Sequence, residues 1–273
     1  MVHQKIVLPL TIVIATAAAP AIAATEAEID ALYAAIGTPE MIEILRDEGL
    51  AQAGELRSSM FPGRGGWEAV ASSIYDTDKM ATLFRAEFDA ALADANLEPL
   101  LAFFTSDLGT RIIGLEISAR EALLDEDVED AADDAFAALT DEDPDRVALL
   151  EDFVLANDLI EFNVMGALNA SLAFYTGLAD GGGFEMSEDD VLREVWSQEL
   201  DVRSDTEGWL FSYAALAYQP LPDVDLEAYT AFSRTPAGHD LNRALFAGFD
   251  AVFNDISFAL GRAASQFVQG DDI

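Results

Sequence analysis

Two segments of the chain repeat one pattern: Leu97-Glu98-Pro99-Leu100-Leu101-Ala102-Phe103-Phe104-Thr105-Ser106-Asp107-Leu108-Gly109 and Leu226-Glu227-Ala228-Tyr229-Thr230-Ala231-Phe232-Ser233-Arg234-Thr235-Pro236-Ala237-Gly238, which lies 129 residues later. Five of the thirteen positions are identical. Each copy places a hydroxyl residue after a short apolar run and a glycine three positions further on. A hydroxyl oxygen accepts hydrogen bonds from the first amides of a helix. Each copy therefore predicts a short helix, a one-residue corner and the start of a long helix.

The shared residues define a structural motif, Phe-x-x-Ser/Thr-x-x-Gly, that occurs twice. Its members are Phe103, Ser106, Gly109, Phe232, Thr235 and Gly238. A glycine in the first turn of a helix costs about 1 kcal/mol relative to alanine. That cost is understandable where another backbone packs closely, so we expect Gly109→Leu and Gly238→Leu to destabilise the fold.

Composition excludes several kinds of chemistry. The 273 residues are 51% hydrophobic, which is enough for a sizeable core, and they include no cysteine. Disulfides, thiolate metal sites and cysteine nucleophiles are thereby excluded. The net charge of −37 opposes binding to nucleic acids and to anionic membrane surfaces. High solubility is the simpler interpretation of this charge, and adaptation to salty water is the alternative.

The N-terminal residues have the pattern of a cleavable signal peptide. Lys5 is followed by an apolar run over residues 6–19 and by Ala21-Ile22-Ala23, a small-x-small cleavage site. We therefore predict residues 1–23 to be a signal peptide cleaved after Ala23, with the mature protein in the periplasm. An uncleaved N-terminal anchor is the alternative. No later segment is expected to span a membrane.

Helical periodicity dominates from Thr25 onward and predicts an all-α fold. An offset of 118 aligns residues 41–44 with residues 159–162, so we predict two tandem helical repeats packed as one helical-bundle-like body. The acidic, proline-containing segment 140–144 divides them into a first repeat, 24–143, and a second repeat, 144–273. The apolar spacing predicts one long helix from Ser106 toward Ala138 and another from about Pro144 to Tyr175.

No catalytic, cofactor-binding or metal-binding residue is predicted. His239 is the single histidine after the signal segment, and it falls in the first turn of a helix, where a neutral, solvent-facing state is expected. The acidic run 125–134 lacks the order of a calcium-binding loop, so it is expected to be a solvated helix face. Glu-x-x-His pairs, which a di-metal helix bundle needs, do not occur.

Three polar residues are weak candidates for a pocket between the repeats. Asn157 and Glu161 are expected one turn apart on one helix, and Glu43 corresponds to Glu161 at the offset of 118. Hydrogen bonding within the bundle or contact with solvent is the more ordinary role for such residues. A set of aromatic residues is likewise expected to be core rather than a binding groove: Phe103, Phe104, Tyr229, Phe232, Phe246, Phe249 and Phe253.

The corner motif resembles that of the bacterial family known as domain of unknown function 2059. Members of that family are exported and mostly helical, and the resemblance implies no catalytic residue. The leading hypothesis is a non-enzymatic protein that binds or scaffolds a protein partner in the cell envelope. A small-ligand carrier with a pocket between the repeats is the alternative, and a carboxylate-based hydrolase comes third. No cofactor is expected, and the oligomeric state is left open.

Overall fold

A computed structural model describes residues 24–182 and 187–270, and over these residues the chain forms helices and no strands. The predicted all-α class is confirmed. The predicted signal peptide, residues 1–23, lies outside the described part. The helices are α1 (Glu26–Ala35), α2 (Thr38–Met60), α3 (Trp67–Ile74), α4 (Thr77–Leu92), α5 (Glu98–Phe104), α6 (Asp107–Ala122), α7 (Glu126–Glu142), α8 (Pro144–Ala156), α9 (Leu159–Asp180), α10 (Glu188–Ser197), α11 (Glu199–Tyr218), α12 (Asp223–Ser233) and α13 (Pro236–Gln269).

Local sequence signals place most of the helix starts. Thr25 and Glu28 form a reciprocal capping box before α1. Asp76 caps α4, and Ser187 accepts a hydrogen bond from the Asp190 amide at the start of α10. Helix α2 begins after Gly37, which is in a left-handed conformation (φ 67°), and Thr38 is its first residue. A side chain at Gly37 would collide with Ile117 of α6, so packing as well as backbone conformation requires glycine there.

Two helices expected to be continuous are each divided in two. The first ends at Ala122 and resumes at Glu126, because the Asp125 side chain accepts a hydrogen bond from the Asp127 amide and starts a new helix. The second ends at Ala156 and resumes at Leu159, across an Asp158 with φ 52°. Short polar side chains compete with the helix backbone at both breaks, and apolar spacing alone did not reveal this.

Helix α13 is the centre of the molecule. It packs against α9 along one side and against α4 along another. The largest hydrophobic cluster follows this contact, and it includes the fully buried Phe84 and Phe88 of α4 together with Val252 and Ile256 of α13. The first and second halves of the chain therefore share one core.

The expectation that no later segment approaches the length of a membrane span is wrong for α13. It is long and apolar enough to cross a membrane by length and composition, and 28% of its most apolar window is buried within the fold. A single helix of this kind is weak evidence for a span, because the central helix of a water-soluble fold passes the same test. In the described fold this helix packs against α4 and α9.

A second cluster joins α6 of the first half to α8, α11 and α12 of the second half. Ile112, Leu150, Tyr218 and Leu226 are all at most 1% exposed within it. Helix α6 thus packs on α11 of the second half, and α13 packs on α4 of the first half while it keeps its most extensive contact with α9 of its own half. A third, smaller cluster joins α9 to α10.

The order of elements supports the predicted duplication. Helices α1–α6 correspond in sequence order to α8–α13, and α7 is the helix between the two sets. Helix α11 has 20 residues where α4 has 16, and α12 has 11 where α5 has 7. Some of the added residues of the second half therefore lie within α11 and α12. The duplication itself stays a prediction.

Candidate functional site

The two corner motifs have matching hydrogen bonds. Ser106 Oγ accepts a hydrogen bond from the Gly109 amide at 3.1 Å and donates one to the Phe103 carbonyl at 2.6 Å. Thr235 Oγ1 accepts from the Gly238 amide at 3.1 Å and donates to the Phe232 carbonyl at 2.7 Å. Each hydroxyl therefore closes the short helix before it and starts the long helix after it.

Both motif glycines are enclosed by the backbone of the preceding short helix. A Cβ atom at Gly109 would overlap the carbonyl oxygen of Phe103, and one at Gly238 would overlap the carbonyl oxygen of Phe232. Both glycines are buried in their helices. This close approach is the structural reason for a residue that otherwise weakens a helix.

The two corners meet through their aromatic residues. The rings of Phe103 and Phe232, which hold the same position in the two motif copies, stack with centroids 4.0 Å apart and planes at 9°. The ring of Tyr229 also stacks with that of Phe103, with centroids 5.7 Å apart. Most of the aromatic set thus contributes to packing as expected, although Phe253 is 39% exposed.

Beside this stack, a carboxylate lies among three tyrosines. Glu116 of α6 is half-buried, and its Oε1 accepts a hydrogen bond from the phenol of Tyr218 at 2.7 Å. The phenol of Tyr213 donates to the backbone carbonyl of Glu116 at 3.3 Å. The phenol of Tyr229 also bonds to the carboxylate. The cluster therefore connects α6 to α11 and α12.

Enclosure changes the acidity of this cluster. Burial raises the pKa of Glu116 to about 7, against smaller lowering effects of the hydrogen bonds from Tyr218 and Tyr229. Burial, followed by the nearby Glu116 charge, raises the pKa of Tyr213, Tyr218 and Tyr229 well above the ordinary value. The tyrosines are therefore hydrogen-bond donors and not bases at neutral pH.

Sequence reasoning missed Glu116, although a signal was present. The residue stands four positions after the buried Ile112 and three before the buried Ala119, so it lies on the apolar face of α6. A carboxylate in such a stripe indicates either a buried acid or a break in the packing. Its three tyrosine partners come from residues about a hundred positions away, and only the fold brings them together.

The three weak pocket candidates lie at the surface or at a helix end. Glu43 and Glu161 are exposed, and Glu161 forms a bidentate ion pair with Arg203 at 2.5 and 3.0 Å. The pKa of Glu161 is lowered, first by the hydrogen bonds from Arg203. Asn157 ends α8 and its carbonyl accepts a hydrogen bond from Asn242 at 2.7 Å. These contacts are those of surface and helix-end residues.

The remaining candidates are solvent-facing. His239 is exposed at the start of α13, as expected. The acidic residues of the 125–134 run are mostly exposed on α7. Within residues 24–182 and 187–270, no group of three or more histidine, aspartate or glutamate side chains is arranged to hold a metal ion.

An exposed apolar stripe lies on α10 and the start of α11. Its members are Leu192, Trp196 and Leu200, which recur every four residues and are 44%, 60% and 76% exposed. The adjacent face of α10 is buried, with Val191 and Val195 packed on Val164 and Leu168 of α9. We call Leu192, Trp196 and Leu200 the α10 stripe.

The fold and these sites define an all-α protein that combines a packed aromatic junction with one exposed apolar stripe. Residues 78–137 match the family described as "Uncharacterized protein conserved in bacteria (DUF2059)". The match covers the first corner motif and confirms the resemblance predicted from it, whereas the second motif copy lies outside the matched residues. No curated protein matches the chain. No solved structure matches it either.

Proposed function

We propose that this chain is an exported, non-enzymatic protein that binds a protein partner in the bacterial cell envelope through the α10 stripe. The observation that carries the proposal is the exposure of Leu192, Trp196 and Leu200 on one short segment. Single apolar residues on a surface are ordinary, but a contiguous group of them marks an interaction site. Tryptophan in particular is enriched at the residues that dominate binding energy.

The rest of the molecule is consistent with binding rather than catalysis. The half-buried carboxylate of Glu116 accepts a hydrogen bond from a tyrosine hydroxyl of the fold, and the exposed carboxylate of Glu161 is paired with Arg203. The pattern of residues 1–23 supports export, and the family resemblance supports a bacterial source. Periplasmic location is part of the proposal.

The proposal is tested by site-specific photo-crosslinking in living cells. A photoreactive amino acid replaces Trp196 in one variant and Val224 in a matched control, since Val224 is also apolar and 66% exposed but lies on α12. We expect a protein adduct from position 196, lost when Leu200→Gln is added, and none from position 224. Equal adducts at both positions, or none at position 196, would contradict the proposed function.

Export is tested separately by cell fractionation with intact-mass measurement. We expect the protein in the periplasmic fraction with its first residue at Ala24. Recovery from the cytoplasm at full length would show that the export part of the proposal is wrong.

A further inference from the structure

We infer that the partner of the α10 stripe is a basic amphipathic helix of another protein, and this inference rests on the proposed function. The apolar face of such a helix would cover Leu192, Trp196 and Leu200, and its lysine or arginine side chains would meet the acidic rim of the stripe. An apolar helix face laid against an apolar surface is a common recognition mode, with anchors at helical spacing.

The charge around the stripe argues for a basic partner. Residues 188–201 contain six acidic residues and one basic residue, Arg193. Arg193 pairs with Asp190 at 2.8 Å, and Arg203 pairs with Glu199 at 3.0 Å. In the part of the chain that the structure describes, the other acids of this segment have no ion pair with a basic side chain: Glu188, Asp189, Glu194 and Asp201. Charge complementarity across an interface selects its partner and speeds association.

The same charges argue against the other occupants of an apolar surface. A second copy of this chain would bring another acidic rim and another net charge of −37 to the contact, which repels it. A bilayer with anionic headgroups is repelled for the same reason. A helix with basic flanks instead gains from the apolar contact and from the charges around it.

The spacing of the stripe fits a helix in particular. Residues at four-position intervals on an α-helix lie along one face about 6 Å apart. Leu192 and Trp196 lie one turn apart on α10, and Leu200 follows in the first turn of α11, after Gln198, whose backbone is in the right-handed helical region. A partner helix of similar length would present leucine-type residues at the same intervals.

The test uses the protein as purified from cells and a synthetic amphipathic Leu/Lys helix of about five turns as the probe. Two comparison peptides have glutamate in place of lysine, or the same composition in scrambled order. Binding is measured by calorimetry and by acrylamide quenching of tryptophan fluorescence. Trp196 is 60% exposed and Trp67 is 1% exposed, while Trp209 is half-buried beneath Arg120, so the difference between the natural chain and Trp196→Phe gives the signal of Trp196. We expect the Leu/Lys helix to bind and to protect the tryptophan, the scrambled peptide to bind about tenfold or more weakly, and the Leu/Glu helix not to bind.

Variants separate the stripe from the general charge of the protein. Leu200→Gln is expected to weaken the Leu/Lys helix about tenfold, whereas Val224→Gln leaves its affinity unchanged. Trp196→Phe keeps binding by calorimetry, and the peptide no longer changes the quenching, which then comes from Trp67 and Trp209 alone. Equal affinity of the scrambled peptide, equal effects of the two glutamine variants, or the same tryptophan protection by zwitterionic lipid vesicles would each overturn the inference. If crosslinking at position 196 succeeds while these peptides fail, the proposed function stands and the partner is not a basic helix.

Discussion

Two glycines on one helix show how differently the same residue type can act. Gly109 is buried against the Phe103 carbonyl, whereas Gly114 of the same helix is exposed, and a Cβ atom there would meet no other atom within 4 Å. The first is needed for a close approach of two backbone segments. The second carries only the entropic disadvantage of glycine in a helix.

We expect Gly109→Ala to destabilise the protein by about 2 kcal/mol, because the new methyl group overlaps backbone that cannot move freely. Gly114→Ala is the matched control and is expected to stabilise by about 0.5–1 kcal/mol through helix propensity. Urea denaturation followed by circular dichroism measures both. A neutral or stabilising Gly109→Ala would mean that the corner glycine is present in both halves for a reason other than packing.

The enclosed carboxylate of Glu116 predicts a pH dependence of stability. Its pKa is raised from an ordinary value of 4.5 to about 7, so the folded protein holds the proton more tightly than the unfolded chain does. The contribution of this residue to the free energy of unfolding is therefore full below about pH 4.5 and is lost as the pH rises through about 7. The loss is at most about 3 kcal/mol.

We expect Glu116→Gln to stabilise the protein relative to the natural chain at pH about 8 by about 1–3 kcal/mol, with a difference near zero at pH about 4. The amide oxygen still accepts the hydrogen bond of Tyr218, and no charge is enclosed. Glu121→Gln, an exposed change on the same helix, serves as the control and is expected to leave the pH profile unchanged. Parallel profiles for Glu116→Gln and the natural chain would show that this carboxylate is solvated.

At the scale of the secondary-structure elements, capping residues and apolar periodicity predicted that helices form but not where two of them are interrupted. Thr25, Asp76 and Ser187 were readable as caps because the hydrogen bond they make is local. The breaks before Glu126 and Leu159 were not readable, because the same apolar spacing continues across them. The short polar residues at these breaks, Asp125 and Asp158, also occur within helices, so their presence alone did not show that the helix ends there.

At the two corners, Ser106 and Thr235, we expect serine and threonine to replace each other, whereas removing the hydroxyl destabilises the protein. Ser106→Ala and Thr235→Ala should each lower the free energy of unfolding by about 1 kcal/mol, since each removes a helix cap. Ser106→Thr and Thr235→Ser keep the hydroxyl, and each is the natural residue of the other corner, so changes below about 0.5 kcal/mol are expected. Thermal and urea unfolding measure the stability of the four variants. If Ser106→Thr and Thr235→Ser lowered the free energy of unfolding as much as the alanine variants do, loss of the cap would not be the cause.

At the scale of the whole molecule, helical periodicity predicted the all-α class. The packing of α6 on α11 and of α13 on α4 could not be predicted from the sequence. Periodicity identifies which face of α4 or α6 is buried but not which helix covers it. The α10 stripe was missed for a related reason, since Leu192, Trp196 and Leu200 have the spacing of a core face. Only the fold shows that Val191 and Val195 take the buried positions.

The contacts of α6 with α11 and of α13 with α4 predict that the two halves of the chain fold together. Phe84 of α4 packs against Phe249 of α13 with ring centroids 4.8 Å apart, and Ile112 of α6 packs within the cluster of α11 and α12. Expressed separately, segments 24–143 and 144–270 would each expose these surfaces. We expect neither alone to unfold cooperatively, and a one-to-one mixture to recover cooperative unfolding by circular dichroism.

The intact chain with a flexible insertion between residues 143 and 144 is the control and is expected to keep its fold. Sedimentation measures the stoichiometry of the mixture. A first segment that is monomeric and unfolds cooperatively by itself would contradict the expected dependence of each half on the other.

The stack of Phe103 on Phe232 bears on which residues the two halves can hold at equivalent positions. These rings occupy the same position in the two motif copies, which is the arrangement that a two-fold axis produces in a symmetric dimer. In such a dimer every buried residue occurs twice, so an enclosed glutamate would bring a second one with it. A fused chain has no such restriction: Glu116 corresponds to Leu245 at the offset of 129. On the predicted duplication, the joined chain can therefore hold an acid on one side of the axis and an apolar residue on the other.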